Sequence, residues 1–386
     1  MDQPVVRTIT LGLADPHPLP GQRLAEAATR LRAAEASYWQ AGYEVQTVRI
    51  TTRPVFDDFA DLPELISYAH RLQVDLDRLG IDHFSLGPAQ AARPDFPLDR
   101  LAVIEDLVPD RPALSCAVQI ATAEHGIRAD AALPTARTML RIAQRTEAGM
   151  GNFRFAALAC VRPGHPFFPA SYHEGPDSLT IGLQGAGVVT AALSDGGGLD
   201  PASITARVRE AVLTAATPVV RLGQRLAERL GLRFGGIDLS PAPSVDTSIG
   251  AAVELGVAGR FGAPGTVAVV GAITEALRST NLPTCGYNGL MLPVMEDAVL
   301  AREWTEGHIG MHQLLAYSAV CGTGLDTVPL PGDTSAEVIA GLLLDVATLA
   351  SRLAKPLSAR LFPLPGKQSG DHTTFTSSYL INLRLP

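Results

Sequence analysis

Five carboxylates stand at or near the ends of short apolar segments, where α/β proteins often place polar chemistry. They are Asp238, Glu296, Asp297, Asp326 and Asp333. A group of oxygen ligands of this kind suits Mg²⁺, Ca²⁺ or Mn²⁺ better than Zn²⁺. Without a metal, clustered acids raise one another's pKa values and supply a general acid/base pair. We therefore predict a divalent cation site at these five residues, with Asp238 and Asp326 also as catalytic candidates.

Each of these acids also has a purely structural interpretation. Asp238, inside an apolar strand, would accept hydrogen bonds from the backbone of the following turn. Glu296 and Asp297 would be first-turn helix residues facing solvent, where the helix dipole favours them. Asp333 or Thr334 would be the N-cap of a helix running from about Ser335 to Leu353. Both interpretations stay open for Asp238, Glu296 and Asp297, whereas the N-cap interpretation is favoured for Asp333 and the functional one for Asp326.

A loop at 162–176, dense in proline, glycine, histidine and aromatic residues, is predicted to be functional. His173, between Tyr172 and Glu174, is its candidate general base, and the alternative is a histidine that only packs locally. Lys367 lies in a glycine-flanked segment and is predicted to neutralise a carboxylate or phosphate of a substrate. The spacing of a Walker A motif is missing there, and a solvated loop lysine is the alternative.

Alternating strand-like and helix-like segments must position these residues. The pattern predicts strands at 5–13, 44–51, 83–86 and 113–117, and helices at 21–40, 62–79, 98–107 and 133–147. After the loop at 162–176 it predicts a strand at 178–183, a long helix at 201–230, a strand at 234–239, and short strands at 289–294 and near 380–385. Such alternation favours βαβ units and a mostly parallel sheet.

Composition limits the classes of function. The 386 residues are 46% hydrophobic and 18% charged, which predicts a large core and a single domain over 1–386. The net charge of −8 and the lack of basic runs argue against nucleic-acid binding. No membrane span is expected. The four cysteines form no CxxC pair, so we expect a reduced, cytoplasmic protein and assign Cys321 to the core. A homo-oligomer, a dimer, is expected.

Several motifs resemble those of the bacterial and archaeal family called domain of unknown function 711. They are Gly236-Ile237-Asp238, Gly262-Ala263-Pro264-Gly265-Thr266, Gly324-Leu325-Asp326, Pro331-Gly332-Asp333-Thr334, Pro365-Gly366-Lys367, and the strand-like segments 7–12 and 46–51. Tyr172 and His173 also fit the resemblance, which covers nearly the whole chain. On this basis Arg49, in the second strand-like segment, and Tyr172 join Lys367 as candidate substrate-binding residues.

The resemblance implies a fold and two classes of function. The fold would be a large α/β barrel similar to the pyruvate formate-lyase and ribonucleotide reductase class, without the glycyl-radical loop. One function is a non-radical enzyme that uses acid/base or metal-assisted chemistry on a small carboxylate-bearing metabolite. The alternative is a small-molecule-binding regulatory protein that acts with an amino-acid-sensing partner. Ala319 stands where relatives often have a second cysteine, so a two-cysteine mechanism is not expected.

Overall fold

Strands and helices alternate along the computed structural model, which describes residues 4–194, 200–244 and 247–385. The strands in these ranges are β1 (Val5–Leu13), β2 (Val45–Thr52), β3 (Phe84–Ala89), β4 (Leu114–Thr122), β5 (Gly126–Ile127), β6 (Phe155–Ala159), β7 (Ser178–Gln184), β8 (Arg233–Asp238), β9 (Gly324–Pro331) and β10 (Leu357–Leu364). The helices are α1 (Gly21–Gln40), α2 (Leu62–Leu79), α3 (Ile104–Leu107), α4 (Ala132–Gln144), α5 (Ala186–Leu193), α6 (Pro201–Arg229), α7 (Ile249–Glu254), α8 (Thr266–Arg278), α9 (Ala298–Thr305), α10 (Met311–Ser318) and α11 (Ala336–Arg352). The mixed α/β architecture expected from the sequence is confirmed.

Local signals in the sequence set the ends of the helices. At the start of α2 the side chain of Asp61 accepts a hydrogen bond from the amide of Glu64 at 2.8 Å. At its other end Gly80 takes a left-handed conformation with φ of 63°, which glycine adopts at little cost. The buried face of α2 repeats every three or four residues, as an amphipathic helix requires. Capping and periodicity therefore agree, and both α1 and α2 have the bounds that the pattern predicts.

The ten strands of the described residues lie in one sheet, ordered β8-β7-β1-β2-β3-β4-β6-β10-β9, with β5 beside β4. Strands β1, β2, β3, β4 and β6 run parallel to one another. Strands β7 and β8 are parallel, as are β9 and β10, and both pairs run antiparallel to the central five. The starts of the five central strands therefore lie at the same end of the sheet as the carboxyl ends of β7, β8, β9 and β10.

Two irregularities in strand register change where side chains lie. Along β1 the pairing with β7 skips Arg7, since Val6 and Thr8 pair with the consecutive residues Leu183 and Gly182. In the pairing of β9 with β10, two residues of β9, Asp326 and Thr327, lie opposite one residue of β10, Arg360. Thr327 has a φ of 42° there. Extra residues of this kind are β-bulges, which redirect side chains and often lie beside functional sites.

Residues 284–293 contact both outer strands of the sheet. Thr284 forms an isolated parallel bridge with Ile237 of β8, and Pro293 forms another with Asp326 of β9. The prediction of a strand at 289–294 is wrong, because the Pro293–Asp326 bridge is the single strand pairing in that stretch. The strand predicted near 380–385 is also wrong: the sole bridge there pairs Arg384 with His372. Within the described ranges no helix has the length and apolarity needed to cross a bilayer.

Candidate functional site

Two adjoining chambers open beside the strands of the central sheet. An inner chamber of about 240 Å³ and an outer chamber of about 860 Å³ share a set of lining residues. The shared residues are Arg7, Arg49, His83, Phe153 and Tyr379. The outer chamber falls within the roughly 300–1,000 Å³ typical of small-molecule sites. The two chambers together are therefore the candidate site.

Arg360 is the centre of a charged network in the wall of the site. Its Nε donates to Asp326 Oδ1 at 2.7 Å, and its Nη2 donates to Glu296 Oε1 at 2.6 Å. Arg7, on the β1 bulge, lies 3.9 Å from the other oxygen of Glu296. Burial alone would lower the pKa of Arg360, but the carboxylates of Asp326 and Glu296 outweigh it and raise that pKa. Burial raises the pKa of Glu296, against the opposing effect of Arg360.

Arg49 of β2 lies in both chambers and forms no ion pair within the described residues. Only 9% of its surface is exposed, and its Nε donates to Thr47 Oγ1 at 3.0 Å. Burial, with repulsion from Arg7 and Arg360, lowers the pKa of Arg49 to about 9. Burial and the nearby charge of Arg49 lower the pKa of His83 to about 3, so His83 is neutral near pH 7. Among the described residues, Arg49 is thus a buried cation that has no carboxylate within ion-pair distance.

Aromatic side chains form the remaining walls. The predicted functional loop at 162–176 contributes Phe167 and Phe168 to the inner chamber. The guanidinium carbon of Arg7 lies 5.3 Å from the ring centre of Phe167, and that of Arg49 lies 5.3 Å from the ring of Phe168. Such cation–π contacts hold each guanidinium over the face of a ring and leave the N–H groups at the edge of the guanidinium free to bind a ligand. The loop therefore reaches the site through its phenylalanines.

His173 and Tyr172, the loop residues singled out from the sequence, lie outside the lining of both chambers. His173 is fully buried, and its Nε2 lies 3.0 Å from the carbonyl of Pro176. Its ring is packed so closely on β1 that a Cβ at Gly12 would be 2.2 Å from its Nδ1. The hydroxyl of Tyr172 donates to the carbonyl of Val161 at 3.0 Å. Both side chains therefore hold the loop against the sheet.

Asp238, the buried strand acid of the sequence prediction, lines neither chamber and makes the backbone contacts that its structural interpretation expects. Its carboxylate accepts from the amides of Ser240 at 2.8 Å, Tyr287 at 2.8 Å and Asn288 at 3.3 Å. Burial raises its pKa, against the lowering effect of these hydrogen bonds. Gly286, with φ of 77°, permits the approach, since a Cβ there would lie 2.0 Å from Asp238 Oδ2. Asp238 therefore positions Tyr287, which lines the inner chamber.

The remaining predicted acids divide between the site and the helix ends. Asp326 lines the inner chamber and Glu296 the outer one. Asp297 is fully buried: it caps α9 through the amides of Val299 and Leu300 and also accepts from Ile249 at the start of α7 at 2.6 Å. The solvent-facing interpretation of Asp297 is therefore wrong. Asp333 is exposed, and the side chain of Ser335 caps α11 instead, accepting from the amide of Val338.

The structure does not gather the five predicted metal ligands. Within the described part of the chain, the one group of three or more such residues with ligand atoms within 4.8 Å of one another is Glu303, Glu306 and His308. There Glu303 is already paired with Arg302 at 2.7 Å and with His308 Nδ1 at 2.8 Å. Glu303 is the one buried member of this group, and its hydrogen bonds to half-exposed partners account for its burial without a metal. Lys367 is half-buried on its loop and lines neither chamber.

Several residues of the site carry no signal in the sequence analysis. Arg7 and Arg360 lie within strands, and their exposure to the site depends on bulges that follow from pairing register. Tyr287 and Tyr379 come from irregular segments. A charged residue inside an apolar strand is a usable signal, and Arg360 in the segment Leu357–Leu364 carries it as Asp238 does in β8. Of the predicted substrate-binding residues, Arg49 is the one that lines the chambers.

Comparison with known proteins agrees with the motifs. The sequence model of the family described as Uncharacterised ACR (DUF711) matches residues 1–377. A UPF0210 protein of Pyrobaculum aerophilum is 31% identical over 360 residues, which cover 88% of this chain and 78% of that protein. A UPF0210 protein of Methanopyrus kandleri is 30% identical over 320 residues, covering 80% and 70%. Their names state no substrate, and the family expected from the sequence is confirmed.

Proposed function

The chain belongs to the DUF711 family, and from the geometry of its two chambers we propose that it binds and transforms a small carboxylate-bearing metabolite. The observation that carries the proposal is Arg49, a buried guanidinium with no carboxylate partner in the described structure that lines both chambers. Buried charges are otherwise paired or neutralised. A ligand carboxylate would supply the missing counter-charge.

The balance of charge supports an anionic ligand. Four arginines and three carboxylates line the two chambers: Arg7, Arg49, Arg154 and Arg360 against Asp326, Glu296 and the exposed Glu44. One positive charge is left over. Arginine presents a planar fork of donors that fits a carboxylate in a bidentate manner. The aromatic walls formed by Phe153, Phe167 and Phe168 would contact an apolar body attached to that carboxylate.

The chemistry of the proposed enzyme rests on Asp326 and Glu296. Both carboxylates face a chamber, and burial raises the pKa of Glu296, which brings it closer to the range useful for proton transfer near neutral pH. Arg360 would hold both acids in a fixed geometry. In this proposal Asp326 or Glu296 replaces His173 as the proton-transferring group, because His173 lies outside the chambers.

A ligand sensor is the second candidate function. The observation in its favour is that the two acids of the site are both ion-paired with Arg360, as expected for a rigid binding site. A regulatory protein of this kind would bind the same carboxylate ligand and pass the signal to an amino-acid-sensing partner. The two functions share one site and differ only in turnover.

Matched probes test the binding step. We propose calorimetry with 3-phenylpropanoate and with 3-phenylpropanamide, which has the same shape without the charge. The expected result is measurable binding of the acid and at least a ten-fold weaker affinity for the amide, since a charge-assisted hydrogen bond contributes about 1.5–3 kcal/mol. Equal affinities for acid and amide would overturn the proposal. Incubation of a panel of small acids with the protein, followed by mass spectrometry, separates enzyme from sensor: new products favour the enzyme, and binding without products favours the sensor.

The barrel that the resemblance implies is also part of the proposal. It is supported by five parallel strands flanked by strands of the opposite direction, and by the segment 284–293, which bridges to both outer strands β8 and β9. Because both edge strands of the sheet pair with the same segment, that segment would join the two edges and close the sheet into a barrel. The predicted homodimer and cytoplasmic location stay predictions, and analytical ultracentrifugation tests the first.

A further inference from the structure

We infer that the inner chamber recognises a second oxygen on the ligand, so that the ligand is a hydroxy acid or an oxo acid and Tyr287 is the residue that selects it. This inference rests on the proposed function, in which Arg49 anchors the carboxylate. The carboxylate anchor and the proposed second subsite are formed by different residues: Arg49 lines both chambers, whereas Tyr287 lines the inner chamber and not the outer one.

Among the described residues, two buried hydroxyl groups on residues that line the inner chamber make no hydrogen bond of normal geometry. They are Tyr287 Oη and Thr323 Oγ1, on residues that are 4% and 1% exposed. The nearby Ser358 hydroxyl donates to the carbonyl of Thr323 at 3.1 Å. Leaving a buried hydroxyl without a partner costs about 1–3 kcal/mol. Both residues line the inner chamber, and we take a polar atom of a ligand bound there to be the group that completes the two hydroxyls.

The chemistry of the two hydroxyls defines that ligand atom. Burial raises the pKa of Tyr287, with a smaller opposing effect of Ser358, so the phenol keeps its proton and can donate it. The Thr323 hydroxyl can donate or accept. A carbonyl oxygen would accept from both groups, and a ligand hydroxyl would accept from Tyr287 and donate to Thr323. A methylene at the same place would leave both groups without partners.

Tyr287 is held rigidly in the position that this role requires. Its backbone amide donates to Asp238 Oδ2 at 2.8 Å, so the buried strand acid fixes the start of the side chain. Its ring packs edge-to-face on His165, with ring centres 4.2 Å apart and planes at 79°. His165 is itself fixed, because its Nδ1 accepts from the amide of Phe167 at 3.1 Å. A hydroxyl fixed in this way would bind a ligand oxygen with little ordering cost.

Paired acids that differ by one oxygen substituent test the inference. The pairs are lactate with propanoate and 3-phenyllactate with 3-phenylpropanoate. By calorimetry we expect the wild-type protein to prefer the hydroxy acid of at least one pair by about ten-fold. In Tyr287→Phe we expect that preference to disappear, while the affinity for the acid without the hydroxyl stays the same.

Thermal unfolding without ligand gives an independent measurement. Tyr287→Phe removes an unpartnered hydroxyl, so its Tm is expected to equal or exceed that of the wild type. The matched control is Tyr38→Phe, because the buried Tyr38 hydroxyl donates to the Val219 carbonyl at 2.8 Å outside both chambers. Tyr38→Phe is expected to lower the Tm and to keep the ligand preference.

Two results would overturn the inference. One is a Tyr287→Phe variant that loses stability as Tyr38→Phe does and keeps the hydroxy-acid preference, since Tyr287 would then have only a structural hydrogen bond. The other is a wild-type protein that binds both members of each pair equally, in which case carboxylate binding by Arg49 stands without a second subsite. If no acid binds at all, the proposed function fails together with the inference, and the three outcomes are distinct.

Discussion

Replacing Arg49 by methionine removes the charge on which the proposed anion site depends and keeps a side chain of similar length. We expect the variant to lose affinity for carboxylate ligands without losing stability. Most buried charges behave in the opposite way, because removing one partner of an ion pair leaves the other uncompensated. Arg49 has no such partner in the described ranges, and the strongest effects of other charges on its pKa come from Arg7 and Arg360, which are also cations.

The pKa of Arg49 indicates the size of the effect. Burial and repulsion from Arg7 and Arg360 lower it far below the usual value for arginine, to about 9. At about 1.4 kcal/mol per pKa unit, this corresponds to roughly 5 kcal/mol opposing the charged form. Relaxation of the protein and water recovers part of this cost, so we expect Arg49→Met to be as stable as the wild type or more stable by about 1–3 kcal/mol. Loss of a charge-assisted hydrogen bond of about 1.5–3 kcal/mol weakens carboxylate binding about ten- to hundred-fold.

The same pKa sets a pH dependence with a definite sign. Above about pH 9, and up to the pKa of arginine in the unfolded chain, the unfolded state holds a proton that folded Arg49 has released. The free energy of unfolding therefore increases as pH rises through that window. Below about pH 9 the cost of the buried charge is constant. Binding of 3-phenylpropanoate to the wild type should weaken as pH rises through about 9, and Arg49→Met should show no such transition.

The assay combines urea unfolding with calorimetry using 3-phenylpropanoate. The control is Arg128→Met: Arg128 Nη1 donates to three backbone carbonyls, those of Ala91, Arg93 and Phe96, outside both chambers. This control should lose stability and keep its affinity. The reasoning would be refuted by an Arg49→Met protein that unfolds more easily than the wild type yet binds the acid equally well.

Three further predictions follow from the charged groups near the site. Arg360→Met leaves Asp326 and Glu296 buried without their cation and should lower the free energy of unfolding by about 3–5 kcal/mol in urea titrations, with partial recovery when Glu296→Gln is added. Because burial raises the pKa of Glu296 above 4.5, the folded state holds the extra proton, so the free energy of unfolding should fall as pH rises from 4.5, and Glu296→Gln should reduce that slope. Asp297→Ala removes an acceptor shared by the starts of α7 and α9, so the free energy of unfolding should fall by about 2–4 kcal/mol. The loss should be the same with and without EDTA. A loss that appears only without EDTA would restore Asp297 as a metal ligand.

Elements defined by local signals were predictable from the sequence. Helices α1 and α2 have the predicted bounds because periodicity and end signals lie within the segment itself. Asp297 shows where such reasoning stops. The sequence places it correctly at the start of a helix, but its burial depends on α7, whose amide at Ile249 lies 48 residues earlier in the chain. A carboxylate that caps two helix starts at once cannot be distinguished by sequence from one that faces solvent.

The candidate site itself was harder to predict because the sheet combines two strand directions. The rule that polar residues gather at the carboxyl ends of parallel strands directed attention to Asp238 and Asp333. In this sheet the chambers lie beside the starts of β2, β3, β4 and β6, which are parallel to one another, and beside the end of β7, which runs antiparallel to them. Residues just before a strand, such as His83 and Phe153, therefore face the site as directly as residues after one. Where a sequence indicates both parallel units and a reversal between them, site candidates should be sought at both ends of each strand, and charged residues inside apolar strands, such as Arg360, should be considered first.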